Sequence, residues 1–185
     1  MKPISIQLYS VREAAKADFI GVLKQIAAIG YKGVEPAGLH NHAPADIRKV
    51  IDDLGMVCSS MHGKLVTSET LQESVDTAKA LGAPYIISGF KRDEWATLDG
   101  VKRAAEAFQA ANALLKPHGL KMGYHNHWWE MPKLGDKYAL EHFYAMAPDT
   151  VAEIDVYWAT NFGAVDTPAL VKRLAKRTPL LHIKD

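Results

Sequence analysis

The chain has 185 residues, 48% of them hydrophobic and 23% charged, which is ample apolar material for one well-packed domain and short for two. Twenty-two basic against 21 acidic side chains leave a formal charge of +1, so no overall field draws in nucleic acid or an acidic membrane surface. The single cysteine, Cys58, excludes an intramolecular disulfide and fits a reducing compartment, and no leader or spanning segment is visible, so the expected location is cytoplasmic.

Short apolar runs alternate with longer segments of helical period. Ile4 to Leu8 predicts a strand, and Phe19, Val22, Leu23, Ile26 and Ala27, spaced by three and four, predict a helix ending near Gly30. Gly33 to Glu35 is the second predicted strand, and Pro44 to Leu54, with Ile47, Val50, Ile51 and Leu54 on one stripe, is a helix stopped by Gly55. Val57 to Met61 is the third strand, Ser68 to Leu81 the third helix and Pro84 to Ser88 the fourth strand. A long helix follows from Leu98 to Leu115, with Pro117 and Gly119 as its stop. Lys121 to Asn126 is the fifth strand, Tyr138 to Ala147 a helix, Val151 to Val156 the sixth strand, Thr167 to Lys176 a helix and Leu180 to Ile183 the seventh strand.

Seven strands separated by six helices are the order of parallel βαβ units in an α/β protein. A doubly wound sheet and a (β/α)8 barrel both satisfy that order, but Gln7-Leu8-Tyr9-Ser10-Val11-Arg12 after the first strand lacks the glycines of a dinucleotide-binding turn. Glu35, His62, His125, Asn126, His127, Asp155, His182, Lys184 and Asp185 all lie at or just past the C-terminal ends of different strands, which a barrel gathers at one mouth. The expectation is a single α/β domain over residues 1–185 of the (β/α)8 TIM-barrel type, incomplete because a full barrel of ~250 residues adds an eighth strand and two helices. Exposed edges on the first and seventh strands would then invite pairing with a second copy as a homo-oligomer.

Asp155, at the end of an apolar strand, needs a partner, whether a helix N-terminus, a counter-ion or a metal, because a buried lone carboxylate costs several kcal/mol. His182 sits among Leu180, Leu181 and Ile183, where a histidine is either a hydrogen-bonded core residue or a ligand; beside a carboxylate on the adjacent strand, a ligand role is favoured. In "GYHNHWWEM", residues 123–131, His125 and His127 share the parity that puts them on one face, with Tyr124 and Asn126 on the other. Glu35 reads equally as a salt-bridged acid or a functional one, and His62 before Gly63 as a site residue or part of a turn. His40 and His42 form a second "HNH" in a loop, where solvation is the commoner fate. Trp128, Trp129, Trp158 and Tyr9 are candidate walls for a sugar ring, and equally candidate packing. Cys58, in an apolar run, reads as core filler.

Taken together, "IQLYSVRE", "GYKGVEPAG" around Glu35, "GYHNHWWEM", "EIDVYWA" around Asp155 and "LLHIKD" around His182 resemble, in order and along the whole chain, the sugar phosphate isomerase/epimerase family of xylose-isomerase-like TIM barrels. The resemblance implies a small sugar substrate and one divalent ion (Mn, Mg, Zn or Co), held by an acid on strand five, an aspartate on strand six, a histidine on strand seven and a glutamate on strand eight. Asp155 and His182 match the middle two; the strand-five acid is missing near Gly123, with His125 as its substitute, and the strand-eight glutamate has no counterpart here. The expected substrate contacts are His62, Asn126, His127, Trp158 and Asp185. Neither acid of the family's proton-transfer pair is identifiable, which leaves Glu35 and Lys184, with Glu130 and Asp185, as proton carriers. The implied chemistry is isomerisation or epimerisation beside a metal-polarised carbonyl. Its neighbours are elimination or hydrolysis of an oxidised glycoside, and sugar binding by a non-catalytic incomplete barrel.

Overall fold

In a computed structural model of the chain, residues 4–162 and 165–184 are described, and they fall into two compact units. The first unit comprises Met1–Gly63 and Glu69–Ile86. Its elements are β1 (Ser5–Gln7), α1 (Arg12–Ala17), α2 (Phe19–Ile29), β2 (Gly33–Glu35), α3 (Pro44–Asp53), β3 (Val57–Cys58), β4 (Met61–His62) and α4 (Leu71–Leu81), and it ends within β5 (Tyr85–Ser88). β1, β2 and β3 are parallel with β2 central, Gln7 opposite Glu35 and Val34 opposite Cys58. Asp18 starts α2 by accepting the Gly21 amide proton at 2.8 Å, and Gly30, at φ 115°, ends it in a left-handed turn that a residue with a Cβ adopts only at a cost. The α2 stripe then does what its spacing predicts: Phe19, Leu23 and Ile26 pack with Val34, Ile47, Ile51 and Leu81 in one buried cluster.

The second unit comprises Lys64–Ser68 and Ile87–Asp185. After the last residues of β5 come α5 (Leu98–Leu115), β6 (Lys121–His125), β7 (Lys133–Leu134), β8 (Lys137–Tyr138), α6 (Ala139–Met146), β9 (Val151–Asp155), α7 (Val156–Asn161), α8 (Thr167–Leu174) and β10 (Leu180–His182). β9 lies between β6 and β10, parallel to both, with His125 opposite Glu153 and His182 opposite Asp155. Behind the sheet is an aromatic core in which Tyr124 lies 5.0 Å from Trp95, 5.3 Å from Phe108 and 4.9 Å from Phe143, centroid to centroid, in tilted and edge-on arrangements. Buried Asn112 ties α5 to the strands: its Oδ1 accepts from Met122 N at 2.8 Å, while its Nδ2 donates to Phe108 O and to Thr150 Oγ1, each at 3.1 Å.

The predicted element order is present, with local differences. The third strand is broken into β3 and β4, because Ser59 and Ser60 between them turn their hydroxyls to Val34 O and the Glu35 carboxylate. The sixth strand stops at Asp155, one residue early, since the Asp155 side chain accepts from Trp158 N at 3.0 Å and starts α7. The fifth strand stops at His125, so the extended geometry that would put His127 on the same strand face does not continue to it. α1, α7, the antiparallel β7–β8 hairpin and a 3-10 turn at Arg92–Ala96 are additional. Among the described residues no helix is long and apolar enough to cross a membrane.

Candidate metal centre

Parallel pairing with this register brings the C-terminal ends of β6, β9 and β10 side by side. Strand alternation then points His125, Glu153, Asp155 and His182 to one place, while Tyr124, Ala152 and Ile154 go to the other face and its core. Glu153 and Asp155 are fully buried. Glu153 Oε2 lies 3.0 Å from His125 Nδ1 and 3.3 Å from His182 Nε2. The other ring nitrogens, His125 Nε2 and His182 Nδ1, are turned toward Asp155 Oδ2, 3.6 and 4.0 Å away, so each imidazole lies between the two carboxylates.

Two imidazoles and a carboxylate, each offering a donor atom within 4.8 Å of the others, make a set that fits a divalent ion of borderline hardness. Glu153 and Asp155 are both buried on one strand, with Lys184 Nζ 2.8 Å from Asp155 Oδ2, and a buried carboxylate at such a place is suited to a cation. The other Asp155 oxygen is taken by the start of α7, so the helix-cap and ligand readings of this residue describe different oxygens of one side chain.

Asn126 is placed behind the cluster. Wholly buried, it accepts from Asp155 N at 3.0 Å and donates to Asp155 O at 3.2 Å and His127 O at 3.1 Å, so its amide clamps the backbone of the candidate ligand. His127 lies beside His125, 5.2 Å between centroids, and stacks on Trp129 at 4.1 Å and 12°. From Lys184, whose Nζ lies 4.5 Å above the Trp158 ring, an aromatic tract continues to Trp128, 4.9 Å from Trp158, and to Phe162, 5.6 Å from Trp128. Glu130 sits under this tract: its Oε1 accepts from Tyr124 OH at 2.5 Å and its Oε2 from His127 N at 2.9 Å. Burial pushes the Glu130 carboxyl up to about 8 and holds the Tyr124 hydroxyl well above the ordinary phenol range.

The first unit has its own polar group. Glu35, 3% exposed, accepts from Gln7 Nε2 at 2.8 Å and Ser60 Oγ at 2.5 Å and lies 3.2 Å from His62 Nε2. In their loop, His42 is exposed and His40 partly so, with rings 5.7 and 4.9 Å from the Phe19 ring, and Tyr9 is exposed beneath the Arg12 guanidinium. Cys58 is buried, and burial pushes its thiol up to about 12. Asp185 lies outside the described residues. Of the sequence-derived candidates, His125, Asn126, His127, Asp155, Trp158, His182 and Lys184 are thus brought together in one unit, and Glu35 and His62 in the other. Glu153 was not singled out by sequence reasoning; its i, i+2 relation to Asp155 on a strand was the signal that would have found it.

Repeated βα units whose adjacent strand ends gather two histidines and two carboxylates define an α/β barrel-type protein with a candidate metal site at the strand C-termini. The family model for the xylose isomerase-like TIM barrel matches residues 23–185, and the chain belongs to that family. Among solved structures it is similar to a sugar phosphate isomerase/epimerase from Parabacteroides distasonis, at 25% identity and a TM-score of 0.80, over 98% of this chain and 74% of that one. A xylose isomerase-like TIM barrel protein from Mycobacterium smegmatis, in complex with magnesium, aligns at 13% identity and a TM-score of 0.71, over 99% and 74% of the two chains. An L-ribulose 3-epimerase aligns at 14% and 0.68, over 100% and 70%. No curated protein sequence matches the chain.

Proposed function

We propose that the chain carries the metal centre of a divalent-metal-dependent isomerase or epimerase acting on a small sugar or keto-sugar. The observation that carries this reading is the convergence of His125 Nε2, His182 Nδ1 and Asp155 Oδ2, with Glu153 Oε2 beside the other nitrogen of each imidazole. The similarity to a sugar phosphate isomerase/epimerase and to a magnesium-bound relative supports it. When bound, the ion supplies Lewis-acid polarisation of a substrate carbonyl, which acidifies the adjacent C–H. His125, Asp155 and His182 hold it; Asn126 fixes the backbone of Asp155 so that its carboxylate does not drift. Lys184 Nζ, beside Asp155 and over Trp158, is the group placed to donate a proton or to steady charge on the carbonyl oxygen. Glu35, directed by Gln7 and Ser60, is proposed as a proton carrier, with His62 beside it as a substrate contact. His127 and Trp158 supply flat surfaces for the sugar ring. Pairing with a second copy belongs to the same proposal.

The test is metal uptake. Calorimetric titration of chelator-treated protein with Mn2+ or Co2+ is expected to show a single site per chain and a rise in Tm, both abolished in Asp155→Ala and His182→Ala. A wild-type protein that takes up no ion ends the metal reading. On the loaded protein, deuterium entering the carbon beside the carbonyl of a ketose in heavy water, followed by NMR, tests the proton transfer.

A further inference from the structure

A cavity of about 380 Å³ in the second unit, walled among others by Arg92, Trp95, Trp128, Trp129, Met131 and Phe162, is not used by the chemistry above. We propose that it is a subsite for a second, uncharged ring linked to the keto-sugar that reacts, so that the molecule acted on is a keto-glycoside and not a free sugar or a sugar phosphate. This rests on the reading of the metal centre as the reacting end.

Three observations carry it. First, the cavity and the cluster share a wall. Trp128 and Phe162, which line the cavity, are the far end of the aromatic tract that starts at Trp158 under Lys184, and Trp129 is stacked on His127, itself beside His125. The rings that wall the cavity are thus in direct contact with the rings beside the cluster, which puts the cavity next to a sugar held there. Second, the lining is largely aromatic and apolar, with Trp128, Trp129, Met131, Pro132 and Phe162 among it, the kind of surface on which the C–H face of a ring packs. Third, the wall is electrically balanced. The Arg92 guanidinium lies 5.6 Å from the Trp128 ring and 5.9 Å from the Trp129 ring, and Asp93 lines the same cavity. A phosphate would meet that carboxylate, whereas a neutral ring stacks on the indoles and accepts from Arg92. The volume, at the low end for small-molecule sites, suits one ring and not a longer chain.

The experiment compares ligands with one ring and with two. Isothermal titration of the Mn2+-treated full chain with methyl β-D-glucopyranoside, phenyl β-D-glucopyranoside and cellobiose is expected to give at least tenfold tighter binding for a two-ring ligand than for the methyl glucoside. Arg92→Ala, at an exposed position, is expected to remove that advantage while leaving the methyl glucoside and the Mn2+ affinity unchanged. Equal binding of all three ligands overturns the subsite, and so does inorganic phosphate that binds the wild type and not Arg92→Ala. Because Mn2+ uptake is measured on the same samples, an intact metal site without a ring advantage sinks the subsite alone. A ring advantage lost in Arg92→Ala, in a protein that takes up no Mn2+, upholds the subsite and sinks the metal reading.

Discussion

Glu153 holds both candidate histidine ligands from a position wholly removed from water. Glu153→Gln keeps the shape and, because both rings approach the same oxygen, can still face them with its amide oxygen; what it removes is the negative charge beside both imidazoles. We expect Mn2+ affinity, read by calorimetry, to fall ~10–100-fold with the fold intact. Glu130 makes a different prediction, on stability. Its folded value, about 8, lies above the ordinary 4.5, so the folded state holds its proton more tightly than the unfolded chain does. The associated stability is full below about 4.5 and is lost as pH rises through about 8, an effect on the order of a few kcal/mol. Glu130→Gln cannot ionise; its Tm relative to the wild type should therefore rise steadily between those limits, and a constant difference would contradict the assignment. Cys58, with its thiol up at about 12 and its Sγ donating to Ser60 O at 3.3 Å, should react with a thiol reagent only after unfolding.

At the scale of elements, the approach of α5 to the turn before it depends on Gly100. A Cβ there would meet the backbone oxygen of Glu94 at 2.0 Å, so Gly100→Ala, favourable in an isolated helix, should cost ~1–3 kcal/mol here and lower Tm by several degrees. Most elements were legible because their signals are local: the α2 and α3 stripes, Asp18 before α2, Gly30 after it and Pro44 opening α3 are all explicit in the letters. α7 was not, because Val156-Tyr157-Trp158 has the side chains of a strand, and the helix turns on a cap supplied by an aspartate that was read chiefly for its chemistry. Gly123 shows the same limit at the site. A Cβ at that position would meet Ile87 Cδ1 at 2.5 Å and Val151 Cγ2 at 2.8 Å, so a strand-five acid has no room there and the ligand position moves outward along the strand to His125. Glu153 was hidden for a related reason: on a strand buried on both faces, an acid among apolar letters looks like an exception until its partners on two neighbouring strands are known.

For the molecule as a whole, the order of βα units and the residues at strand ends were enough to reach the barrel-type fold, and the resemblance carried by the motifs at those strand ends was enough to reach the family to which the chain belongs. They were not enough to separate reacting groups from their supports, because Asn126 and Asp155 have equal claims as letters and are distinguished only by what their side-chain atoms touch. All four tryptophans, Trp95, Trp128, Trp129 and Trp158, belong to the second unit. Tryptophan fluorescence, excited selectively over tyrosine, is therefore blind to the first unit, whereas far-ultraviolet circular dichroism sees the helices of both. Melting curves recorded by the two methods measure cooperativity between the halves: superimposable transitions mean that the chain melts as one body, and an ellipticity change outside the fluorescence transition would be the first unit melting on its own.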